Sequence, residues 1–410
     1  MPTRIRFALI PVLAALAVLL SAVPSGAVVA AEAEFKSASV CVECHPAIHK
    51  AWAASEHATA FTSPEFQVPY DRVRRANPAQ ALTCEQCHNP MRFLLAKDDP
   101  KADIFRQEGV GCDFCHSVYG VDAKGPWPRY RAKPGVKFGP QGGNPANKAH
   151  VTQFSRLHIT SDFCAGCHEF RNEYGVPILT TTSEWEQSFY RGEQIHCQFC
   201  HLPQLFDARF IDKKKQKGPV DHGMVGGHSP ARLALAIPVK GTLEFSGAEA
   251  VLKVTLKNET VGHKTPSGLP SHRIRLTTTL LGSDGAVVDR KEELFERVIG
   301  DGSGKVLEKP EQVFLEGREV LKDNRIGPKE SRLVVQRFPL SGKTPASATI
   351  ALTYEKPLLD PAPGGPSVDS TPISSVSVPA RSGSKGIRYL LGALLAIALA
   401  GALIALRKRG

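Results

Sequence analysis

The sequence predicts a multidomain chain. A mainly helical and irregular domain packed around attached prosthetic groups comes first, then an all-β sandwich-like domain, then one C-terminal transmembrane helix. Three observations predict this. Ten cysteines fall into five C-x-x-C pairs between Cys41 and Cys200, and each pair is followed directly by a histidine. Beyond about Leu233, apolar and polar residues alternate in short runs separated by turn residues. Near the end, the 18 residues Tyr389 to Leu406 carry no charge.

The N-terminus has Arg4 and Arg6, an apolar run from Phe7 to about Val23, and small residues through Ala33. That pattern reads as a secretory signal over residues 1–31. An uncleaved anchor is the alternative, because the run is long for a signal. As a helix, Tyr389–Leu406 would extend about 27 Å, enough to cross a bilayer. It sets the span at 388–406, and Arg407, Lys408 and Arg409 in the tail 407–410 fit the cytoplasmic side. A buried core helix is the competing reading of the same residues. Export with one C-terminal anchor places nearly all the chain on the extracytoplasmic, periplasmic face of the membrane. The formal charge of +11 loses five cations to these two ends and falls to +6. Nucleic acid is therefore not an expected partner.

The five pairs are Cys41/Cys44, Cys84/Cys87, Cys112/Cys115, Cys164/Cys167 and Cys197/Cys200, followed by His45, His88, His116, His168 and His201. C-x-x-C-H is the attachment motif of c-type haem. Two thiols add to the porphyrin vinyl groups, and the adjacent imidazole ligates the iron from one face. A disulfide scaffold or paired zinc sites would use the cysteines but not explain the histidines. With 14 His in 410 residues, five such placements by chance have a probability of roughly a few in a hundred million. Five covalent haem c groups in about 160 residues would form much of the core of a domain spanning 32–232, and its folding should depend on them.

Each iron then has a second axial ligand or an open position. Nine histidines lie outside the motifs: His49, His57, His150, His158, His196, His222, His228, His263 and His272. Methionine is scarce (Met1, Met91, Met224), so bis-His ligation is expected at most sites. His222 and His228 lie in the Gly-rich run Asp221–His228, and His263 lies in the turn-like Val261–Gly268; all three are candidate ligands. His49 sits one helical turn from His45 and reads as solvated, and His196 abuts its own Cys197.

The segment from Cys41 through Trp52 to His57, and Gly109-Val-Gly-Cys112 through His116, resemble the cytochrome c-554 and hydroxylamine oxidoreductase group of multihaem cytochromes c. The resemblance covers roughly Ser39 to His168. It implies that His57 is a distal ligand to another haem, and that two more distal ligands, matching His150 and His158, lie between the third and fourth motifs. His158 is the better match. Tetrahaem members can leave their second haem five-coordinate, which leaves the His88 haem open. This chain departs from them in its fifth site and downstream domain. Gly262-His263-Lys-Thr-Pro266-Ser-Gly268 resembles an element of many larger multihaem cytochromes.

Leu252, Val254 and Leu256 alternate with Lys253, Thr255 and Lys257, and Ile274 to Leu280 repeat the pattern before a Ser283-Asp-Gly285 turn. Leu333–Phe338 and Ile350–Tyr354 continue it. A sandwich over 233–356 is expected as a docking module that lends His263 to a neighbouring haem. The Pro/Ser/Gly-rich 357–387 reads as a linker, and Lys213–Lys217 as a solvated run. The expected function is a membrane-anchored pentahaem cytochrome c that transfers electrons among redox proteins or a membrane respiratory complex. The alternative is a reductase or oxidase of a small nitrogen or sulfur compound at one five-coordinate haem.

Overall fold

The computed structural model describes residues 34–123, 127–141, 149–203, 221–227, 229–340, 342, 344–359 and 367–381. The signal 1–31, the span 388–406, the tail 407–410, the Lys213–Lys217 run and His228 lie outside the described residues. Among the described residues no helix is long and apolar enough to cross a membrane.

The N-terminal part is made of short helices and two-stranded ribbons. Proline opens three of its helices, Pro46–Ala53, Pro64–Ala76 and Pro78–His88, where its missing N–H costs nothing. Four attachment motifs lie within helices: Pro78–His88, Cys112–Ser117, Asp162–His168 and Cys197–His201. The spacing explains this, since residues three apart share one face of a helix and can hold one planar group by both edges. Antiparallel ribbons join Val118–Asp122 to Arg129–Ala132 and Glu169–Arg171 to Pro177–Thr180. Apolar clusters here are small, such as Phe61, Phe66, Tyr70, Val73 and Ala81, or Met91, Phe105, Phe114 and Val118. The polypeptide supplies little continuous core of its own in this half.

The C-terminal half differs. Seven strands form one sheet: β1 (Val239–Ser246), β2 (Glu249–Lys257), β3 (Arg273–Leu281), β4 (Val287–Phe295), β5 (Ser331–Pro339), β6 (Ser347–Pro357) and β7 (Val368–Arg381). They run in the order β4-β3-β6-β7-β1-β2-β5. The β4 and β5 strands lie at opposite ends of that order. Yet Lys291 of β4 donates to the Arg337 carbonyl of β5 at 2.6 Å, and Thr278 of β3 bonds to Gln336 of β5. The sheet is therefore folded face to face on itself, around a core that includes Leu243, Leu252, Ile274, Leu276, Phe338, Ile350 and Val378. Along β3, Ile274, Leu276, Thr278 and Leu280 turn inward, as the period-two pattern predicts.

One expectation is corrected. The linker assigned to 357–387 contains β7, which pairs along β6 and briefly, in parallel, with β1 at Ala380 and Arg381. Its prolines hide the strand from composition, but they are accommodated: the register shifts beside Pro372, leaving Ile373 as the extra residue of a bulge. Ile373 and Val378 are buried in the sheet core. A further element, the ribbon Arg297–Gly300 with Glu319–Asp323 and the helix Pro310–Glu316, went unseen in the sequence. It joins the halves. Arg297 donates to the Pro177 carbonyl at 2.8 Å, Asn172 donates to the Gly317 carbonyl at 2.8 Å, and Arg72 pairs with Glu311 at 3.3 Å.

Candidate haem-binding site

Each motif histidine closes a short helix or turn that also carries its two cysteines. His88 Nδ1 lies 2.6 Å from the Ala60 carbonyl, His116 Nδ1 2.7 Å from that of Phe138, and His201 Nδ1 3.1 Å from that of Val225. A carbonyl on Nδ1 fixes the proton there and leaves the Nε2 lone pair for a metal. Burial pushes each of these three rings down to about 4, so they are neutral imidazoles, the ligating form.

The decisive geometry is between histidines. Two imidazole nitrogens each about 2 Å from one metal require ring centres about 6 Å apart. His45 faces His150 with centres 6.4 Å apart, and His168 faces His57 at 6.1 Å. His116 faces His222 at 6.2 Å, and His201 faces His263 at 6.4 Å. Four of the five motif histidines thus have a partner at the separation a bis-His iron needs, drawn from distant parts of the chain. His263 repeats the supporting contact, with Nδ1 2.9 Å from the Lys264 carbonyl.

The cysteines fit the same group. Anchors of different motifs lie near one another: Cys41 is beside Cys112, Cys87 beside Cys167, and Cys164 beside Cys197. Tyr130 lies among them, its hydroxyl 3.2 Å from Cys167 Sγ. A cavity of about 290 Å³ beside the second motif is lined by Phe93, Leu94, Trp127, Pro128 and Tyr130 together with the polar Gln86 and Arg129.

Cys44 stands apart from the other anchors. It is exposed, whereas the other nine cysteines are partly buried. The first motif is also the one outside a continuous helix. The helix Ala38–Cys41 stops at its first cysteine, and Cys44 sits in the turn before Pro46–Ala53. The reason is local, because Pro46 keeps His45 out of the helical region and so breaks the helix across the motif. The turn still keeps helix-like spacing, since the N–H groups of Cys44 and His45 donate to the Cys41 carbonyl at 3.3 and 2.9 Å. Cys44 therefore remains beside Cys41, at the solvent-facing edge of the first site.

A family model described as cytochrome c554 and c-prime matches residues 40–117. Cytochrome c-554 of Nitrosomonas europaea is 28% identical over 156 residues, covering 35% of this chain and 61% of that protein. The chain thus spans about three fifths of the length of this curated relative. Around its first three motifs the chain is similar to the multihaem cytochromes c. The chain also shares its fold with a solved structure, a penta-heme cytochrome c552 from Thermochromatium tepidum. The TM-score is 0.67 at 24% identity, over 84% of this chain and 98% of that one.

The structure does not distribute the candidate ligands as the resemblance alone implied. His158 also lies beside His116, its ring stacked with centres 5.7 Å apart, but its Nε2 is engaged by the Cys115 backbone carbonyl at 2.9 Å. His222, from the Gly-rich run, takes the place opposite His116. His88 has no histidine ring against it among the described residues; Phe66 lies flat on it instead. The set-aside histidines are accounted for otherwise. His49 packs on Trp52, and His196 Nδ1 accepts from the Ser161 N–H at 3.1 Å. His272 Nδ1 is 2.9 Å from the Tyr354 hydroxyl. Sequence reasoning missed Phe66 and Tyr130, because an aromatic residue in an amphipathic helix or a short ribbon reads as ordinary core.

Trp52 shows how the first segment is used. Its indole Nε1 donates to the Val110 carbonyl at 3.0 Å, and the Val110 N–H donates to the His57 carbonyl at 2.9 Å. These bonds fasten the His57 segment to the third motif.

Proposed function

We propose that this cytochrome holds five covalently attached haem c groups and passes electrons between redox partners outside the cytoplasm. The four histidine pairs at 6.1–6.4 Å carry the reading, because saturated irons favour electron transfer over substrate binding. The bound haems supply reversible one-electron chemistry whose potential the protein sets by ligation and burial. The chain arranges the anchors in sequence. Its neighbouring cysteines link the first motif to the third, and the fourth to both the second and the fifth. Export through residues 1–31 and anchoring through 388–406 rest on the sequence. A pyridine haemochrome assay of the membrane-derived protein should give five haems per chain. Far fewer than five, or zinc in their place, would overturn the reading.

A second reading has one observation in its favour. His88 lacks a histidine partner among the described residues, which suits a five-coordinate haem that reduces or oxidises a small nitrogen or sulfur compound. Assays with nitrite, hydroxylamine and tetrathionate test it, and no turnover with any of them leaves the carrier function alone.

A further inference from the structure

His201 and His263 belong to different halves of the molecule, so something must hold those halves in register. The helix Thr181–Glu186 stands between them. On its proximal side, Trp185 Nε1 donates to the Ile195 carbonyl at 2.8 Å, two residues before Cys197. On its distal side, Glu184 Oε2 accepts from the Lys264 backbone N–H at 3.0 Å, the residue directly after His263. Glu184 Oε1 accepts from Arg325 Nη2 at 2.5 Å.

Arg325 continues the frame. It donates through Nε to Asp323 at 2.8 Å and through Nη1 to the Pro266 carbonyl at 3.3 Å. Asp323 in turn binds Lys264 Nζ at 3.0 Å and Arg297 Nη2 at 2.9 Å. The loop bearing His263 is thereby held at its backbone, at the Lys264 side chain and at Pro266. The side chains of Glu184 and Arg325 are only 8% and 5% exposed. In so dry a setting, removing Glu184 takes one of the two carboxylates from Arg325, and removing Arg325 leaves Glu184 with the more distant Arg297 at 3.7 Å. Gly262 lies against the same helix, and a Cβ there would come 3.4 Å from Trp185.

Resting on the ligation read above, we infer that Glu184, locked to Arg325, is a positioning residue for His263. One short helix thus sets the separation of the two axial imidazoles of the fifth site, and docking of the β-sheet half completes that site. Neither Glu184 nor Arg325 is a ligand. They act through the His263 loop.

Carbon monoxide titration of the reduced, full-length holoprotein tests this by counting haems that take up an exogenous ligand. His263→Ala should raise the count by about one haem. Glu184→Ala and Arg325→Met should each raise it by about a third of a haem or more, because the loop loses its register. Combining either with His263→Ala should add nothing further, since all act on one site. Glu184→Gln keeps an acceptor for the Lys264 N–H and should stay nearer the parent. If the truncations fail to accumulate, Arg325→Lys, which loses the fork to Glu184, Asp323 and Pro266, carries the comparison, and no rise in it overturns the inference. It is equally overturned if His263→Ala raises the count while Glu184→Ala and Arg325→Met do not. A rise in the double variants beyond His263→Ala would mean general loosening and also overturn it. No change in His263→Ala would instead remove the ligand assignment itself.

Discussion

The Phe66 ring lies flat on His88, with centres 3.9 Å apart and planes 14° from parallel. The other four motif histidines each look across to a second imidazole. At the second motif the packing partner is a phenyl ring, which orients His88 from the side and offers no lone pair. Phe66 belongs to a buried aromatic group with Phe61 and Tyr70, on a helix whose sequence shows only an amphipathic stripe.

This contrast predicts the behaviour of the reduced holoprotein. It should bind about one carbon monoxide for every five haems, at the site of His88. Binding near zero would mean that a sixth ligand reaches that iron. Two or more equivalents would mean that a histidine pair fails to form.

His222 and His158 both lie beside His116, and the structure separates them. His222→Ala should open the third site and add about one carbon-monoxide-binding haem. His158→Gln should leave the count unchanged. The opposite pattern, read by the same titration, would restore His158 as the ligand.

Gly109 has φ +57°, and a Cβ there would come 2.7 Å from the His57 carbonyl oxygen and 3.0 Å from the Ala60 N–H. Both neighbours are backbone and cannot swing away. Gly109→Ala should destabilise the fold by about 1–3 kcal/mol, measured by thermal or denaturant unfolding of the holoprotein. It should also broaden the low-spin signal of the haem between His57 and His168. An unchanged unfolding midpoint would contradict this close approach.

His272 is half-buried against Tyr354, and desolvation lowers its pKa to about 4. An unfolded histidine takes up a proton near 6.5, so between 6.5 and about 4 the unfolded chain binds more protons than the folded one. Stability should therefore fall as pH drops through that window, by up to about 3 kcal/mol from this residue. His158 and His196 are lowered in the same direction, first by burial, and add to the slope. His272→Gln should flatten the stability profile from pH 6.5 to 4, as followed by denaturant titration. A profile parallel to the parent's would remove His272 from the account.

The Asp323 carboxylate shows why local sequence gave no warning of the domain interface. Burial raises its pKa, yet hydrogen bonds and charge from Arg325, with Lys264 and Arg297, outweigh that and hold it well below the usual range. These partners are separated by up to 61 positions, and each alone reads as a surface charge. The same holds for β7, whose Pro372 and Pro379 look like linker until β6 pairs with them.

The sequence by itself determined how many attachment motifs there are, which cysteines form them and which histidine stands beside each, because that chemistry is confined to five consecutive residues. It also marked the β-rich half, since strand periodicity is local. Only the tertiary structure decided that His150, His57, His222 and His263 are the rings that cross to His45, His168, His116 and His201. It likewise decided that His88 meets Phe66 and that Cys44, alone among the anchors, faces solvent. A second axial ligand is chosen by where distant segments pack, and no spacing along the chain encodes that distance.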